Sequence, residues 1–526
     1  MRSPTPPPRR RSRDRIGLAA IALAIATAGG LVWHRALGTF FSQDDFARLG
    51  STLGLAPRLR GPWRYLGHQL AFDLLRPLAG LNPAPYHLVS LATHLGCALL
   101  LFGLLERRVS RSAALAGAIF FAVHPALFDA VYWISTLADG LALLLALAAL
   151  SVLERPGGGR WLAVPFFALS LLSKESTLLL PAAALWLCRG EMAATGRPPA
   201  PARAGAGPVL IVMFALSAAY LAYFAASGYP THLGGPRGAA GEASAGTAAY
   251  SLGVGAGLLW NFLSLTGWVA NFTLPSVVGF TDAIDPPVYP WAAGAILLWL
   301  AGLRSPALRR NGWVMGGILY LTLVLPVLPL AHHTYHYYLE APMAGAAWCV
   351  GALVETATGR LGAMGRRVAA AAVCALLVWN GYALVLKIET MPFLAPELRA
   401  EPMVDRARIA RRVHDDLAAS NLPAGTRLCF WSPSLVALGQ AGRSGTTTGE
   451  TYMERNLKSA LFDGLAVRVM FPAVDSVTFV RKYASLPPPW RYAVYRLDGS
   501  LRVAASAELD TVLEHSPPGR GAPPPG

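Results

Sequence analysis

Charge is scarce in this chain: only 14% of its 526 residues are Asp, Glu, Lys or Arg, whereas 54% are hydrophobic. A soluble chain carries roughly 25% charged residues, so a water-exposed surface of ordinary size is excluded and most of the protein is expected in lipid. Cysteine is scarce as well, with five in all. Cys97, Cys188, Cys349 and Cys374 fall in apolar runs and only Cys429 in a polar region, which excludes disulfide pairs and zinc spacing, and with them redox or metal–thiolate chemistry. Lysine is almost missing: Lys174 is the sole lysine of the first 386 residues. There is no internal repeat. The net charge of +16 comes from arginines in short clusters between apolar runs, not from a continuous basic face. A nucleic-acid partner is therefore not expected, and the clusters read as topology signals.

What is present is a series of apolar runs. The first, Ile16 to Trp33, follows Arg2, Arg9, Arg10, Arg11, Arg13 and Arg15. A signal peptide cut near Ala28 is the competing reading, but the run is long enough to cross a bilayer and many more runs follow, so an uncleaved span is favoured. Further runs fall at 85–105, 112–128, 137–153, 160–172, 175–189, 208–227, 289–303, 313–330, 341–356 and 367–386. Alternate loops hold the basic residues Arg107, Arg108 and Arg111; Arg155 and Arg160; Arg189, Arg197 and Arg203; Arg304, Arg309 and Arg310; Arg360, Arg366 and Arg367. The positive-inside rule puts these loops in the cytoplasm, giving about eleven spans, a cytoplasmic N-terminus (1–15) and a C-terminus outside. Residues 249–275 break this register if they cross, and read instead as a helix on or dipping into the outer face.

The fold class expected is thus an all-α polytopic membrane protein over 16–386, with a first outer loop at 34–84, followed by a small α/β extracytoplasmic domain over 387–515 and a disordered Pro- and Gly-rich tail from 516. In the α/β domain a helix is expected from Val404 to Ala419, with Ile409, Val413 and Leu417 on one face and Asn421 and Pro423 stopping it. β-rich runs follow at 427–431, 467–471 and 492–497.

The residues able to do chemistry are expected on the outer side. Asp44 and Asp45 form an acid pair about ten residues after the first span; such a pair serves as general base or metal ligand, or simply caps a helix from Phe46 to Leu53. Arg76-Pro77-Leu78, Asn82-Pro83 and Tyr86-His87 follow, with Arg76 either forking onto phosphate oxygens or snorkelling to the interface. His94, two turns inside the second span, is read as a buried hydrogen-bonding residue. The segment His124 to Ser135 brings Asp129, Tyr132 and Trp133, and Asp139 opens the next span; carboxylates at membrane depth are costly and face a watery cavity or a partner. Ser173-Lys174-Glu175-Ser176 places a compact point charge at a tight turn, suited to a phosphate oxygen or to an ion pair with its neighbour. Last comes Ala331-His332-His333-Thr334-Tyr335-His336-Tyr337-Tyr338-Leu339-Glu340, whose histidines have weak metal-ligand spacing and suit a polar headgroup or sugar better.

In this order, the acid pair, Arg76-Pro77-Leu78, Asn82-Pro83 with Tyr86-His87, the run through Trp133-Ile134-Ser135, and Ser173-Lys174-Glu175-Ser176 resemble the multispanning glycosyltransferases of the GT-C fold. The membrane halves of the transmembrane and tetratricopeptide-repeat O-mannosyltransferases and their bacterial relatives are the most similar. The resemblance covers roughly 34–190, with an echo at 332–345. It implies transfer of a sugar from a polyprenyl-phosphate carrier to an acceptor on the outer side, with an essential acid at Asp44 or Asp45. It further implies Arg76, Lys174 and His336 at the donor phosphate, and a substrate cavity drawing on His87, His124, Asp129, Trp133, Asp139, Glu175, His332, His333 and Tyr337. A divalent metal such as magnesium or manganese, held by Asp44, Asp45 or Asp129, is left open by it. Where the family shows an Arg-Tyr pair late in the chain, this sequence has His336-Tyr337, and the tetratricopeptide repeats are absent. The implied partners are the polyprenyl-phosphate sugar, a protein or cell-envelope glycan or lipid acceptor, and membrane lipid. The Ala, Arg, Gly and Pro bias suggests a GC-rich bacterium, hence an inner membrane with the site facing the periplasm. A lipid-substrate transporter or flippase and an inactive envelope scaffold are the alternatives.

Overall fold

The computed structural model describes residues 8–58, 64–155, 157–195, 205–226, 253, 255–271, 288–330, 334–389, 402–431, 457–480, 489–495 and 501–505. Helices dominate it, and its one sheet lies near the C-terminus. The chain divides into two compact units that do not follow chain order: the first takes residues 1–37, 59–71 and 87–390, the second 38–58, 72–86 and 391–526. The acid pair, expected within the membrane region, therefore belongs to the same unit as the C-terminal α/β fold.

The first unit is helical because its sequence is apolar for long stretches without Pro or Gly breaks at spacings that would stop a helix. Among the described residues five helices are long and apolar enough to cross a bilayer, or six if the bent pair Arg111–Val123 and Pro125–Tyr132 is one span. Other runs expected to cross form shorter helices, such as Ala163–Ser173 and Tyr289–Arg304, and Ala256–Ala270, within the stretch read as lying on or dipping into the outer face, is also short. At 1.5 Å per residue such helices reach about 16–24 Å, short of a hydrocarbon core about 30 Å thick. The two runs expected at 341–356 and 367–386 fall within one helical stretch, Glu340–Glu389, broken at Gly362, where φ is 55° and ψ −125°. The chain reverses there: a Cβ on Gly365 would lie 2.8 Å from the Ala357 carbonyl oxygen. Large apolar side chains face outward along several helices, with Ile211 69%, Leu297 66% and Val378 74% exposed. An exposed apolar surface of that kind is stable against lipid, and the unit has the character of a multi-pass helical membrane protein.

The two ends of this unit differ in chemistry. At one end Arg107 and Arg108 bond to Glu154, the Ser110 amide donates to Glu355 at 2.8 Å, and Asn311 donates to Thr356 at 2.9 Å. These are loops with the basic clusters. At the other end of the same helices, the segments 123–136, 173–177 and 334–340 meet.

In the second unit the strands β1 (Thr426–Trp431), β2 (Val474–Phe479), β3 (Trp490–Tyr495) and β4 (Leu501–Ala505) form a sheet in the order β2-β1-β3-β4. Pairing is parallel on both sides of β1 and antiparallel between β3 and β4. The helix Pro402–Ala419 buries the expected face, Ile409, Val413 and Leu417, and Asp416 accepts the Leu501 amide of β4 at 2.8 Å. One expectation is corrected: the run 467–471 is a helix, Leu465–Met470, not a strand. Six residues, interrupted by Arg468, are too few for periodicity to separate the two. The deciding feature is the turn before it, where Gly464 has φ 90° and a Cβ would lie 2.7 Å from Val477. Strand β2 carries too many polar residues to signal itself and β4 is only five residues long; both form because β1 and β3 supply pairing partners.

Candidate active site

The acid pair opens the helix Asp44–Thr52, and the structure separates its two members. The Asp45 amide donates to the Ser42 carbonyl and the Ser42 amide donates back to Asp45 Oδ2, both at 3.1 Å. Asp45 is 1% exposed, so its carboxylate is spent on fixing the entry to the helix. Asp44 is less deeply buried, beside Arg48. The protein packed around it disfavours the charged carboxylate and raises it above the ordinary range, with the Arg48 guanidinium opposing. Between Ser42 and Asp44, Gln43 has φ 51° and ψ −123°, a region that costs a non-glycine residue on the order of 1–3 kcal/mol. It is held there by its amide bond to the Ala460 carbonyl and by its side-chain contact with Met403 Sδ. Phe41 packs edge-on to Tyr86 at 5.1 Å, and Tyr86 lies 5.5 Å from Phe72. The acid helix thus rests on an aromatic cluster of its own unit.

Arg76 sits in the last turn of Leu70–Ala79, within electrostatic reach of Tyr86. Its Nε is buried and has no hydrogen-bond partner among the described residues. Asp44, Asp45 and Arg76 are therefore members of one unit.

The first unit gathers a second set. Lys174 Nζ is 2.5 Å from Asp139 Oδ2 and lies over the rings of Tyr337 at 4.8 Å and Tyr338 at 5.0 Å. Glu175 does not pair with its neighbour Lys174 as the local reading had it; it takes Arg64, whose Nε is 3.0 Å from Oε2. Arg64, at φ 53°, begins the π-helical turn Tyr65–Gln69, which fits only because Gly67 lacks a Cβ; one there would lie 2.7 Å from Ala138. Trp133 meets Tyr337 edge-on at 5.7 Å, and its Nε1 is buried without a partner among the described residues. Glu340 Oε1 lies 3.3 Å from the His94 ring Nδ1. Asp139, Glu175, Lys174, Trp133 and Tyr337 thus come together.

The other expected members have further partners. His87 is buried with Nδ1 3.3 Å from the Val131 carbonyl. His124 bonds to the Val269 carbonyl at 3.1 Å, and His336 packs on Trp268 at 4.2 Å, so both serve the helix Ala256–Ala270. Asp129 is buried in the first turn of Phe128–Tyr132. His332 and His333 lie outside the described residues. The sequence reading did not assign Arg64 or Glu340; the available signal was a charged residue directly before an apolar run, which Glu340 is.

A divalent-metal centre does not fit the donors shown: among the described residues no three His, Cys, Asp or Glu side chains converge. One oxygen of Asp45 is also committed to Ser42. No protein-family profile matches the chain, and no curated protein matches it either.

Proposed function

We propose that the protein is a polytopic membrane glycosyltransferase that moves a sugar from a polyprenyl-phosphate carrier to an acceptor hydroxyl, with inversion. The observation that carries the reading is the division of labour in the acid pair: Asp45 holds the helix entry while Asp44, less deeply buried, has its carboxyl raised above the ordinary range. A base works best when its pKa approaches the working pH. Asp44 takes the proton of the acceptor hydroxyl, the oxygen bonds to the anomeric carbon, and the bond from that carbon to the carrier phosphate breaks. Arg76, with its unpartnered Nε in the same unit, is the proposed donor to the departing phosphate. Of the other expected phosphate contacts, Lys174 has its charge matched by Asp139 and His336 packs on Trp268.

In this proposal the chain crosses a bacterial inner membrane about eleven times, with the Arg107, Arg155 and Arg360 loops in the cytoplasm and the acid pair outside. The acceptor is a protein or an envelope glycan or lipid.

One observation favours a second reading. The charged residues Arg64, Asp139, Lys174 and Glu175 lie together inside a helical unit, Asp139 and Lys174 buried and the other two partly so, and such charges also mark transport pathways. The two readings part in one experiment: purified protein in lipid, radiolabelled polyprenyl-phosphate sugars and an envelope extract as acceptor. Wild type is expected to transfer label. Asp44→Asn should lose about 10²–10⁴ in rate with its fold intact, while Asp45→Asn, whose amide oxygen still accepts the Ser42 amide, keeps most of it. Equal transfer by wild type and Asp44→Asn, or movement of intact carrier across the bilayer without transfer, favours the transporter.

A further inference from the structure

In the helical unit, His94 is fully buried and both of its ring nitrogens face oxygen atoms. Nε2 is 3.1 Å from the Ala122 carbonyl and Nδ1 is 3.3 Å from Glu340 Oε1. A carbonyl only accepts, so Nε2 carries a hydrogen. That leaves Nδ1 bare in the neutral ring, facing a carboxylate that also only accepts. The contact becomes a hydrogen bond only when a further proton is present, on Nδ1 or on Glu340. The surroundings ask for the same proton. Glu340 is 1% exposed, and its Oε2 has no partner among the described residues. Among the described residues Asp139, Glu175 and Glu340 bring three carboxyl groups against the side chains of Arg64 and Lys174, one basic group fewer than acidic ones. Cys97 donates toward the Gly140 carbonyl at 3.5 Å.

We infer that His94 and Glu340 form a built-in binding site for one proton in the helical unit. The structure points to the imidazolium–carboxylate form. The His94 ring stacks on Phe121 at 5.0 Å with an interplanar angle of 22°, an arrangement that favours a cation over the ring face. The Ala122 carbonyl also accepts from Trp33 Nε1 at 2.7 Å, so it is a fixed acceptor at the end of its helix. Gly140 has no room for a side chain beside this pair, since a Cβ would lie 2.9 Å from Glu340 Oε1. The proton ties the second span to the helix that begins at Glu340. Its loss leaves the unpaired carboxylate beside Asp139, which competes for Lys174. This site stands whether the protein transfers sugars or moves lipids, because it rests on neither activity.

The test is nitrogen-15 NMR of histidine-labelled full-length protein in lipid at neutral pH, with the His94 signals assigned as those lost in His94→Gln. Infrared spectra of the carboxylic-acid carbonyl region accompany it. Wild type is expected to show His94 protonated on both nitrogens. In Glu340→Gln the side-chain amide can donate to a bare Nδ1, which keeps the packing, and His94 should become singly protonated. A singly protonated His94 in wild type together with an acid carbonyl band that disappears in Glu340→Gln places the proton on the carboxyl and also supports the site. A singly protonated ring with no such band overturns it.

Discussion

At the scale of residues, two neighbouring aspartates with one chemistry are given different work by geometry a few ångströms apart. Asp45 is turned back onto Ser42, and Asp44 is left with Arg48 and partial burial. The sign of the pH dependence follows. Protonated Asp44 cannot accept a proton, so transfer falls as pH drops through its raised pKa, and the acid limb of the rate profile lies above the ordinary carboxylate range. Arg48 opposes that rise, so Arg48→Gln is expected to move the limb to still higher pH; a limb that stays in place would detach Asp44 from the reaction. The Lys174–Asp139 pair makes a different kind of claim. Asp139→Asn leaves a buried ammonium without its counter-charge and should cost about 3–5 kcal/mol, read as lost thermal stability in detergent, whereas the double change Asp139→Leu with Lys174→Met should recover most of it.

At the scale of elements, the helical unit depends on close backbone approach. A Cβ on Gly117 would lie 2.6 Å from the Ala347 carbonyl, and one on Gly316 would lie 2.6 Å from Cys349 Sγ. Small residues let helices touch where lipid offers no hydrophobic drive to association. Gly117→Leu is therefore expected to lower stability by more than the roughly 1–3 kcal/mol of ordinary overpacking, since the obstruction is backbone. Gly103→Leu, where nothing lies within 4 Å, should be close to neutral in the same melting assay. Element boundaries were legible wherever a run was long: the helices Ala84–Leu105, Leu137–Leu153 and Gly207–Ala226 fall where the apolar pattern put them. Short elements were not. The helix Leu465–Met470 passes for a strand because its period is too short to measure, and β2 is too polar to announce itself.

At the scale of the whole molecule, the segment 38–58 and the chain after 391 form one compact unit, although the helical unit lies between them in sequence. Gln43 is held in its strained conformation by Ala460 and Met403, and a Cβ on Gly50 would lie 3.1 Å from Leu465. Deleting residues 391–526 should therefore release the acid helix. Hydrogen exchange over 42–52 is expected to lose its protection, while the segment 137–153 keeps its own. Unchanged protection over 42–52 would mean the acid helix is ordered without the α/β fold.

Composition and hydropathy alone determined that this is a helical membrane chain with a small α/β end, because burying apolar runs in lipid needs no knowledge of their neighbours. They also marked the Asp44–Asp45 pair, Lys174 and Asp139 as costly residues in need of a purpose. Only the tertiary structure decided which aspartate is free to act, that Glu175 takes Arg64 while Lys174 takes Asp139, and that His94 and Glu340 meet. The last two outcomes depend on contacts between residues 35 to 246 positions apart, and no local pattern carries information across such distances.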